Sequence, residues 1–414
     1  MGLLSRAYWT LAAAGAAYVL ALLALTHPST QRAATYAHLV NPTYWQNLSD
    51  VENFGFLRGQ VQPFTVKTPD DQTIYCWHVL PLHLYKTSET SPRTQQPVVE
   101  DYSVASRRPN LRLLLEDQNA VLVIFFHGNA GHLASAHRGP TYQNFLSLST
   151  PERPIHVIGF DYRGFGLSTG SPTEEGVTLD AITLLSHLTG HDMPFSVTDS
   201  TNAALQSLKT TNNTISPDRI VLVGQSMGTF VSTATYHAWT AQLQRPAPRA
   251  LVLFAGFTSL TKLLDTYSIK GLTPPLLSPL IAWPYAQTWF LSRIHDKWDT
   301  QSRLVELVRA PDIPLDLTIM HARDDWEIMW GNGRGNWEAI LDAVGEKDIY
   351  TEKVKTGELS WSKLRWDGGG EAGTKVVKWE LMERGGHNRL TTSEQGKLAV
   401  WGAIEGWKDS QAVD

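Results

Sequence analysis

Short apolar runs recur along the chain, each about as long as a buried β-strand. Segments with the spacing of a helix lie between several of them, as from Val177 to Leu188. Strands that alternate with helices predict right-handed crossovers and a mostly parallel sheet covered by helices on both faces. The apolar runs are 121–126, 155–160, 220–223, 251–254, 315–320 and 376–381. We therefore expect an α/β fold.

Two stretches of alternating character precede the first of these runs. They are F-T-V-K at 64–67 and T-I-Y-C-W-H-V-L at 73–80, and they predict a hairpin of strands. Residues 86–118 are polar and rich in Pro, Ser and Thr, which predicts a loop or a poorly ordered insertion. Residues 345–375 are interpreted as a second polar insertion in a domain that covers residues 50–414.

A long uncharged segment runs from Ala7 to Thr26 near the amino terminus. At about 1.5 Å per residue, a helix of this length spans roughly 30 Å, the thickness of the hydrocarbon core of a bilayer. Tyr8 and Trp9 lie near one end, where interfacial aromatic residues are enriched. We expect residues 1–35 to form a retained membrane anchor. The alternatives are a cleaved signal peptide, whose apolar region usually covers only about 7–15 residues, and a buried helix.

The charges beside this segment predict its orientation. Arg6 precedes it and the first basic residue after it is Arg32, so the positive-inside rule keeps the amino terminus cytoplasmic. Glycosylation sequons at Asn47 and Asn212 agree with a domain on the lumenal side. We therefore expect a single-pass membrane protein whose main domain is lumenal.

Composition limits the classes of partner. Of 414 residues, 42% are hydrophobic and 18% are charged, which is enough apolar material for one large domain or two ordinary ones. A net charge of −5 gives no reason to expect nucleic acid, which usually requires a basic patch. Cys76 is the single cysteine, so no disulfide forms within the chain. The stretch 331–335 lacks the spacing of nucleotide-binding loops, so no cofactor is expected, and no oligomeric state follows from the sequence.

Ser226 lies in the sequence G-Q-S-M-G at 224–228, directly after an apolar run. In a G-x-S-x-G sequence, a sharp strand-to-helix turn exposes the serine hydroxyl, and small neighbours let the helix approach the strand. The alternative is a glycine-bounded turn without chemistry, because the pattern is common by chance. The position of Ser226 after a predicted strand and before helix-compatible residues favours a nucleophile.

A reactive serine needs a base and an acid that orients the base. In chain order Ser226 is followed by Asp325 and His387, each after a predicted strand. Ligands of open α/β sheets bind at the carboxyl ends of the strands, so these side chains are expected to meet there. Asp324 is the alternative acid, because composition does not distinguish it from its neighbour.

An oxyanion hole should accompany such a nucleophile. We expect it to use the backbone N–H of Met227 and that of Asn129, which follows the apolar run at 121–126. A metal site in the same loop is disfavoured, because a spacing of five does not give one helix face and H-E-x-x-H is absent. The histidines weighed for that site are His127, His132 and His137.

Five motifs at these strand ends resemble those of serine α/β-hydrolases. They are H-G-N-A-G at 127–131, D-Y-R-G-F-G-L-S at 161–168, G-Q-S-M-G-T at 224–229, H-A-R-D-D at 321–325 and G-G-H at 385–387. Within that superfamily, the chain resembles membrane-anchored proteins of the "alpha/beta-hydrolase domain-containing protein twelve" type over about residues 60–405 and the anchor. The resemblance implies the α/β-hydrolase fold, monoacylglycerol or lysophosphatidylserine lipase activity, and a location facing the lumen of the endoplasmic reticulum.

The resemblance also implies which acid is used and where the chain departs from the family. The family's acid lies four residues after the histidine of its H-[GA]-x-x-D motif, which selects Asp325. Trp326 and Glu327 replace its usual Pro-Val-like residues. The stretches 86–118 and 345–375 also fit the family poorly. These departures concern substrate specificity and not the three catalytic candidates.

Residues 258–300 are the expected cap over the site. From 271 to 292 there is no charged residue, but four prolines argue against a regular membrane helix. A second crossing here would also place Ser226 and His387 on opposite sides of the membrane. We interpret the segment as an apolar lid that binds acyl chains or enters the membrane interface, the alternative being a cap that only packs on the core. Its candidate substrate-binding residues are Trp283, Trp289 and Phe290.

These predictions lead to hydrolysis of a carboxylic ester of a lipid, a monoacylglycerol or a lysophospholipid. The reaction would use an acyl-enzyme on Ser226, with His387 as general base and Asp325 as its orienting acid. A protein-acyl thioesterase and a serine peptidase of the same fold are the nearest alternatives. A non-catalytic membrane-bound interaction module is an alternative of another class, and an intact triad argues against it.

Overall fold

The computed structural model describes nine stretches of the chain. They are residues 2–41, 45–87, 98–106, 109–192, 214–267, 275–345, 350–356, 359–369 and 373–406. The sequon at Asn212 lies outside the described residues, as do 88–97 of the first predicted insertion and 268–274 of the cap.

The described strands form one mixed sheet. They are β1 (Val61–Lys67), β2 (Thr73–Val79), β3 (Glu100–Asp101), β4 (Val121–Phe126), β5 (Ile155–Phe160), β6 (Ile220–Gln225), β7 (Ala250–Phe254), β8 (Asp316–Ala322), β9 (Tyr350–Thr356), β10 (Leu359–Asp367) and β11 (Thr374–Met382). Their order across the sheet is β3-β1-β2-β5-β4-β6-β7-β8-β11-β10-β9. Strands β5, β4, β6, β7, β8 and β11 run parallel, and β2 and β10 flank them antiparallel.

Helices follow most of the parallel strands, as crossover connections require. The described α-helices are α1 (Leu3–Ala24), α2 (Pro28–Tyr36), α3 (Leu82–Thr87), α4 (Tyr102–Ala105), α5 (Pro109–Glu116), α6 (Arg138–Leu146), α7 (Glu174–Thr189), α8 (Met227–His237), α9 (Leu260–Thr266), α10 (Pro284–Ser292), α11 (Thr300–Arg309), α12 (Gly331–Val344) and α13 (Glu394–Glu405). A π-helical turn at Ala238–Gln242 continues α8.

Alternate residues of the central strands face two separate apolar cores. In β4, Leu122 and Ile124 belong to one core, and Val121 and Val123 belong to the other. Helices α7, α8, α11 and α12 contribute to the first core, and α6 and α13 contribute to the second. Both faces of the sheet are therefore covered, which explains why the central strands are mainly apolar and why β4 and β7 are apolar at every position. The predicted α/β architecture is confirmed.

The predicted strands match the observed ones closely. Two predicted runs, 121–126 and 155–160, coincide with β4 and β5, and the others lie within β6, β7 and β11 or overlap β8. The predicted hairpin is also present, with β1 and β2 antiparallel from Val61 opposite Val79 to Lys67 opposite Thr73.

Both predicted insertions contain regular structure. The loop predicted over 86–118 is wrong for its last part, where α5 buries Leu111, Leu114 and Leu115. These leucines have the i, i+3, i+4 spacing of a helix, which the polar composition of the longer window concealed. In the second insertion, β9 and β10 extend the sheet beyond β11 as antiparallel strands.

The anchor and the domain divide at a different place from that predicted. Helix α1 has 22 residues, a mean hydropathy of 1.6 and no residue of its most apolar window buried within the protein, so it fits a single-pass membrane anchor. Helix α2 crosses the predicted boundary at residue 35 and packs with the domain. Tyr36 is fully buried, and its carbonyl accepts the Ala130 N–H at 3.1 Å. Residues 28–36 therefore belong to the domain.

Candidate active site

Ser226 occupies the turn between β6 and α8, with φ 55° and ψ −124°. Positive φ is unusual for a residue with a side chain and costs roughly 1–3 kcal/mol. A Cβ at Gly224 would lie 2.4 Å from the Gly228 carbonyl oxygen, and one at Gly228 would lie 1.9 Å from that of Phe126. The two glycines therefore let α8 begin directly against the sheet. The Ser226 N–H donates to the Phe254 carbonyl at 2.9 Å, which ties the turn to β7.

The side chains of His387 and Asp325 are joined at this edge of the sheet. His387 Nδ1 lies 2.8 Å from Asp325 Oδ2, and the Asp325 side chain has no solvent exposure. The other carboxylate oxygen accepts the backbone N–H groups of Glu327 and Ile328, each at 2.9 Å. His321 Nε2 lies 3.2 Å from Asp325 Oδ2. Both carboxylate oxygens are thus held in place.

These contacts shift the pKa values of Asp325 and His387. Burial favours a raised pKa for Asp325, but the hydrogen bonds with His321 and His387 outweigh burial, and the pKa of Asp325 lies well below its ordinary value. Burial favours a lowered pKa for His387, but Asp325 outweighs it and raises the pKa of His387 above 6.5, with a smaller contribution from Glu327. The site therefore stabilises an ionised carboxylate beside an imidazolium.

Asp324 has different partners from Asp325. Its Oδ1 accepts the N–H groups of Gly385 and Gly386 at 2.9 and 2.7 Å. Asp324 therefore fixes the loop that carries His387, whereas Asp325 bonds the imidazole itself. The two neighbouring acids, which composition did not distinguish, are separated by the hydrogen bonds of the folded chain.

Arg138, at the start of α6, holds the loop that carries Asn129. Its buried guanidinium donates to four carbonyls of this loop at 2.6–3.1 Å. The C=O and N–H of a trans peptide point in opposite directions, so the Gly128 carbonyl on Arg138 turns the Asn129 N–H away from it. The four carbonyls that accept from Arg138 belong to Gly128, Asn129, Ala130 and His132. Asn129 and Ser226 line one cavity.

Gln225, immediately before Ser226, connects two loops of the site. Its Oε1 lies 2.8 Å from His137 Nε2, at the start of α6. Its Nε2 donates to the His387 carbonyl and to Asn388 Oδ1, both at 3.2 Å. Sequence analysis assigned no role to the side chains of Gln225, Arg138 and His321. Gln225 and His321 lie within the quoted motifs, but the partners of Gln225 and Arg138 are defined by contacts between distant segments.

A cavity of about 150 Å³ contains Ser226 and His387 in its lining. Most of the lining side chains are apolar, and Glu327 is the acidic residue among the described lining residues. The apolar walls come from the cap, which includes α9, and from the segment that joins α1 to α2. They include Leu25, Leu260, Leu263, Leu276, Phe290 and Ile294. An apolar cavity with few polar groups near a serine can enclose part of an acyl chain.

The three predicted cap residues take different positions. Phe290 is buried and lines the cavity, whereas Trp283 and Trp289 are 63% and 45% exposed and lie outside its lining. In α10 neighbouring residues point about 100° apart, so Phe290 faces inward and Trp289 does not. Of the three predicted residues, Phe290 lines the cavity, and the two tryptophans lie on the exposed surface of the cap.

The remaining predicted residues are placed as follows. His132 Nδ1 accepts the Ala134 N–H at 3.2 Å, His127 Nδ1 lies 2.7 Å from the Gly128 carbonyl, and His137 contacts Gln225. Within the described part of the chain, no group of three or more His, Cys, Asp or Glu could hold a metal ion. Asn47 of the first sequon is exposed on the surface.

Comparison with known proteins relates this geometry to a family. The alpha/beta hydrolase family model matches residues 123–394, more than half of the chain. Lysophosphatidylserine lipase ABHD12 of Macaca fascicularis is 24% identical over 327 residues, covering 79% of this chain and 68% of that protein. The protein of the same name from Rattus norvegicus is 30% identical over 155 residues, 37% of this chain. The match spans 33% of the rat protein's length.

A solved structure agrees with the family match. The alpha-beta hydrolase of Vibrio vulnificus superposes with a TM-score of 0.52 at 16% identity, covering 91% of this chain and 92% of that one. At this identity the likeness shows the fold, and the family model assigns the sequence. The chain belongs to the alpha/beta hydrolase family.

Proposed function

We propose that the protein is a membrane-anchored serine hydrolase that cleaves carboxylic esters of lipids. The observation that carries this proposal is that the Asp325–His387 pair and Ser226 lie together at an apolar cavity. Similarity to proteins named lysophosphatidylserine lipases supports the class of substrate. The reaction is acyl transfer to the serine and then to water.

In the proposed reaction, His387 takes the proton of the Ser226 hydroxyl as the oxygen attacks the ester carbonyl. His387 then donates that proton to the departing alcohol, which leaves an acyl-Ser226 ester. A water molecule attacks this ester and gives its proton to His387. His387 then returns the proton to the Ser226 oxygen as the fatty acid leaves, which restores the free serine and the neutral imidazole. Asp325 orients the imidazole and stabilises its charged form.

The charge that develops on the carbonyl oxygen requires donors. Met227 is the first residue of α8, so its N–H has no acceptor within that helix. The Asn129 N–H points away from Arg138, on the loop beside Ser226. We propose that these two N–H groups form the oxyanion hole and that Arg138 is a positioning residue for it.

The cavity lining favours an acyl group over a polar peptide. We therefore propose monoacylglycerols or lysophospholipids as substrates. An acyl-thioester has the same chain and carbonyl and remains the second candidate, for which the same apolar lining is the supporting observation. Glu327 at the cavity favours a neutral headgroup over an anionic one, because like charges repel at short range in a partly buried site.

We propose that the protein is a single-pass protein of the endoplasmic reticulum membrane with its catalytic domain in the lumen. The apolar helix α1 and the exposed Asn47 support this. In eukaryotic cells the protein should resist extraction by alkaline carbonate and lose mass with endoglycosidase H. Asn47→Gln should remove part or all of that mass loss. A wild-type protein without glycan would contradict the lumenal location.

A fluorophosphonate probe should label Ser226 of the full chain in detergent micelles. Ser226→Ala should abolish both this labelling and the hydrolysis of monooleoylglycerol, because no other hydroxyl would have the activated position. Labelled peptides identified by mass spectrometry check the site. Ser232→Ala on the same helix is the matched control and should label normally. Labelling that survives Ser226→Ala would exclude Ser226 as the nucleophile.

The labelling rate should rise with pH through the raised pKa of His387, since only the neutral imidazole accepts a proton. The midpoint should therefore lie above 6.5. Asp325→Asn removes the carboxylate that favours the imidazolium, so it should move the midpoint lower and slow turnover by roughly 10⁴-fold. Asp324→Asn should retain the wild-type midpoint. The reverse pattern would assign the orienting acid to Asp324.

Glu327→Gln should change headgroup preference. It removes a negative charge at the cavity, so kcat/KM for lysophosphatidylserine relative to monooleoylglycerol should rise about fivefold, equivalent to about 1 kcal/mol. The ratio is the readout because Glu327 also affects the pKa of His387, which alters both substrates alike. Glu338→Gln, exposed on α12, is the control. An unchanged ratio would remove Glu327 from headgroup selection.

A further inference from the structure

The end of α1 is fixed to the cap by a specific contact. Tyr18 Oη donates to the Leu276 carbonyl at 3.0 Å, and Leu22 and Leu25 pack against the main core. Tyr18 lies six residues before the helix end at Ala24, about 9 Å along the axis. The cap at Leu276 therefore lies level with the apolar part of α1 and not beyond its end.

Gln31 of α2 fixes the junction between the two helices. This buried amide donates from Nε2 to the carbonyls of Leu25 at 2.8 Å and Arg293 at 3.1 Å. Its Oε1 accepts the His295 N–H at 2.7 Å. A buried polar group left without such partners destabilises the fold, so these bonds favour one arrangement of the α1 end, α2 and the cap.

Helix α2 forms part of the wall of the cavity that contains Ser226. One wall of this cavity comes from Leu25 and residues of α2, and another wall comes from the cap. Ala34 is exposed as well as lining the cavity, so the cavity reaches the surface beside α2. The lining residues from the two sides are Leu25, Gln31, Ala34 and Thr35, and Leu276 and Phe290.

The cap presents large apolar side chains to the outside. Ile281, Trp283, Tyr285 and Trp289 are 69%, 63%, 94% and 45% exposed. Clusters of exposed apolar side chains mark protein or membrane contacts, and Trp and Tyr are enriched at membrane interfaces. The contact of α1 with this same cap selects the bilayer as the occupant, since an anchor held against the cap brings lipid to it.

We propose that the bilayer covers this face of the cap and that the acyl chain of the substrate enters from the membrane beside Ala34, between α2 and the cap. The anchor end and α2 then form part of the substrate-binding site. Entry from the bilayer keeps the chain out of water, where every exposed methylene would be unfavourable. The choice of substrate rests on the proposed ester hydrolysis, whereas the membrane contact does not.

A first experiment blocks the opening in the full chain, reconstituted in phosphatidylcholine vesicles. Ala34→Trp should lower the ratio of monooleoylglycerol hydrolysis to p-nitrophenyl acetate hydrolysis at least tenfold, because the long chain must pass residue 34. Ala33→Trp makes the same change one residue away, outside the described cavity lining, and should keep the ratio within twofold of wild type. Equal ratios in the two variants would overturn the entry route.

A second experiment measures the membrane contact without using activity. Cys76 is buried and is the single cysteine, so nitroxide labels can be placed at Tyr285→Cys or at the exposed Glu116→Cys, which precedes β4 at the opposite edge of the sheet. In vesicles, the label at 285 should relax faster with oxygen than with a water-soluble nickel complex, and the label at 116 should show the reverse. Matching water exposure at both positions would overturn the membrane contact.

The two readouts separate the proposals. If wild-type protein neither binds the fluorophosphonate probe at Ser226 nor cleaves either ester, the proposed ester hydrolysis fails, and the nitroxide result still decides whether the cap meets the bilayer. If both esters are cleaved but Ala34→Trp and Ala33→Trp behave alike, hydrolysis stands and the entry route fails.

Discussion

The close contact of α8 with the centre of the sheet is the constraint on which the site depends. A Cβ at Gly228 would overlap the Phe126 carbonyl, so the helix can start there only without a side chain. This approach forces Ser226 into positive φ and lifts its side chain to the carboxyl edge of the sheet. The strain is local, and it is held by bonds to β7 and by fully buried strands on either side.

The same edge gathers groups from three other strand ends and holds each by buried polar bonds. Asp325 is fixed by two backbone N–H groups and by His387, and Asp324 fixes the loop from which His387 projects. Arg138 donates hydrogen bonds to the carbonyls of the Asn129 loop and holds it in place. Buried polar networks of this kind are stable only when their members are satisfied, which gives the site a single arrangement.

The amino-terminal helices are bonded to the cap and are not a flexible connection to it. A flexible tether would leave the domain free of the membrane, but Tyr18 and Gln31 bond the α1 end and α2 to the cap. Leu25, directly after α1, and residues of α2 also line the cavity, so in the proposed arrangement anchoring and substrate access share one surface. The sequence suggested the anchor from length and composition, and nothing in the sequence linked it to Leu276 or Arg293, which are more than 250 residues away.

The amino-acid sequence alone predicts the sheet, because strands buried on both faces are mainly apolar, and it predicts the turn at Ser226 from the G-x-S-x-G spacing after a strand. It also placed Asp325 and His387 at strand ends. The tertiary structure decided which acid bonds His387, which residue holds the Asn129 loop, and which cap residues face inward. Those choices depend on contacts between distant segments. Local periodicity does not encode such contacts, and for α5 the surrounding polar residues hid even the local pattern.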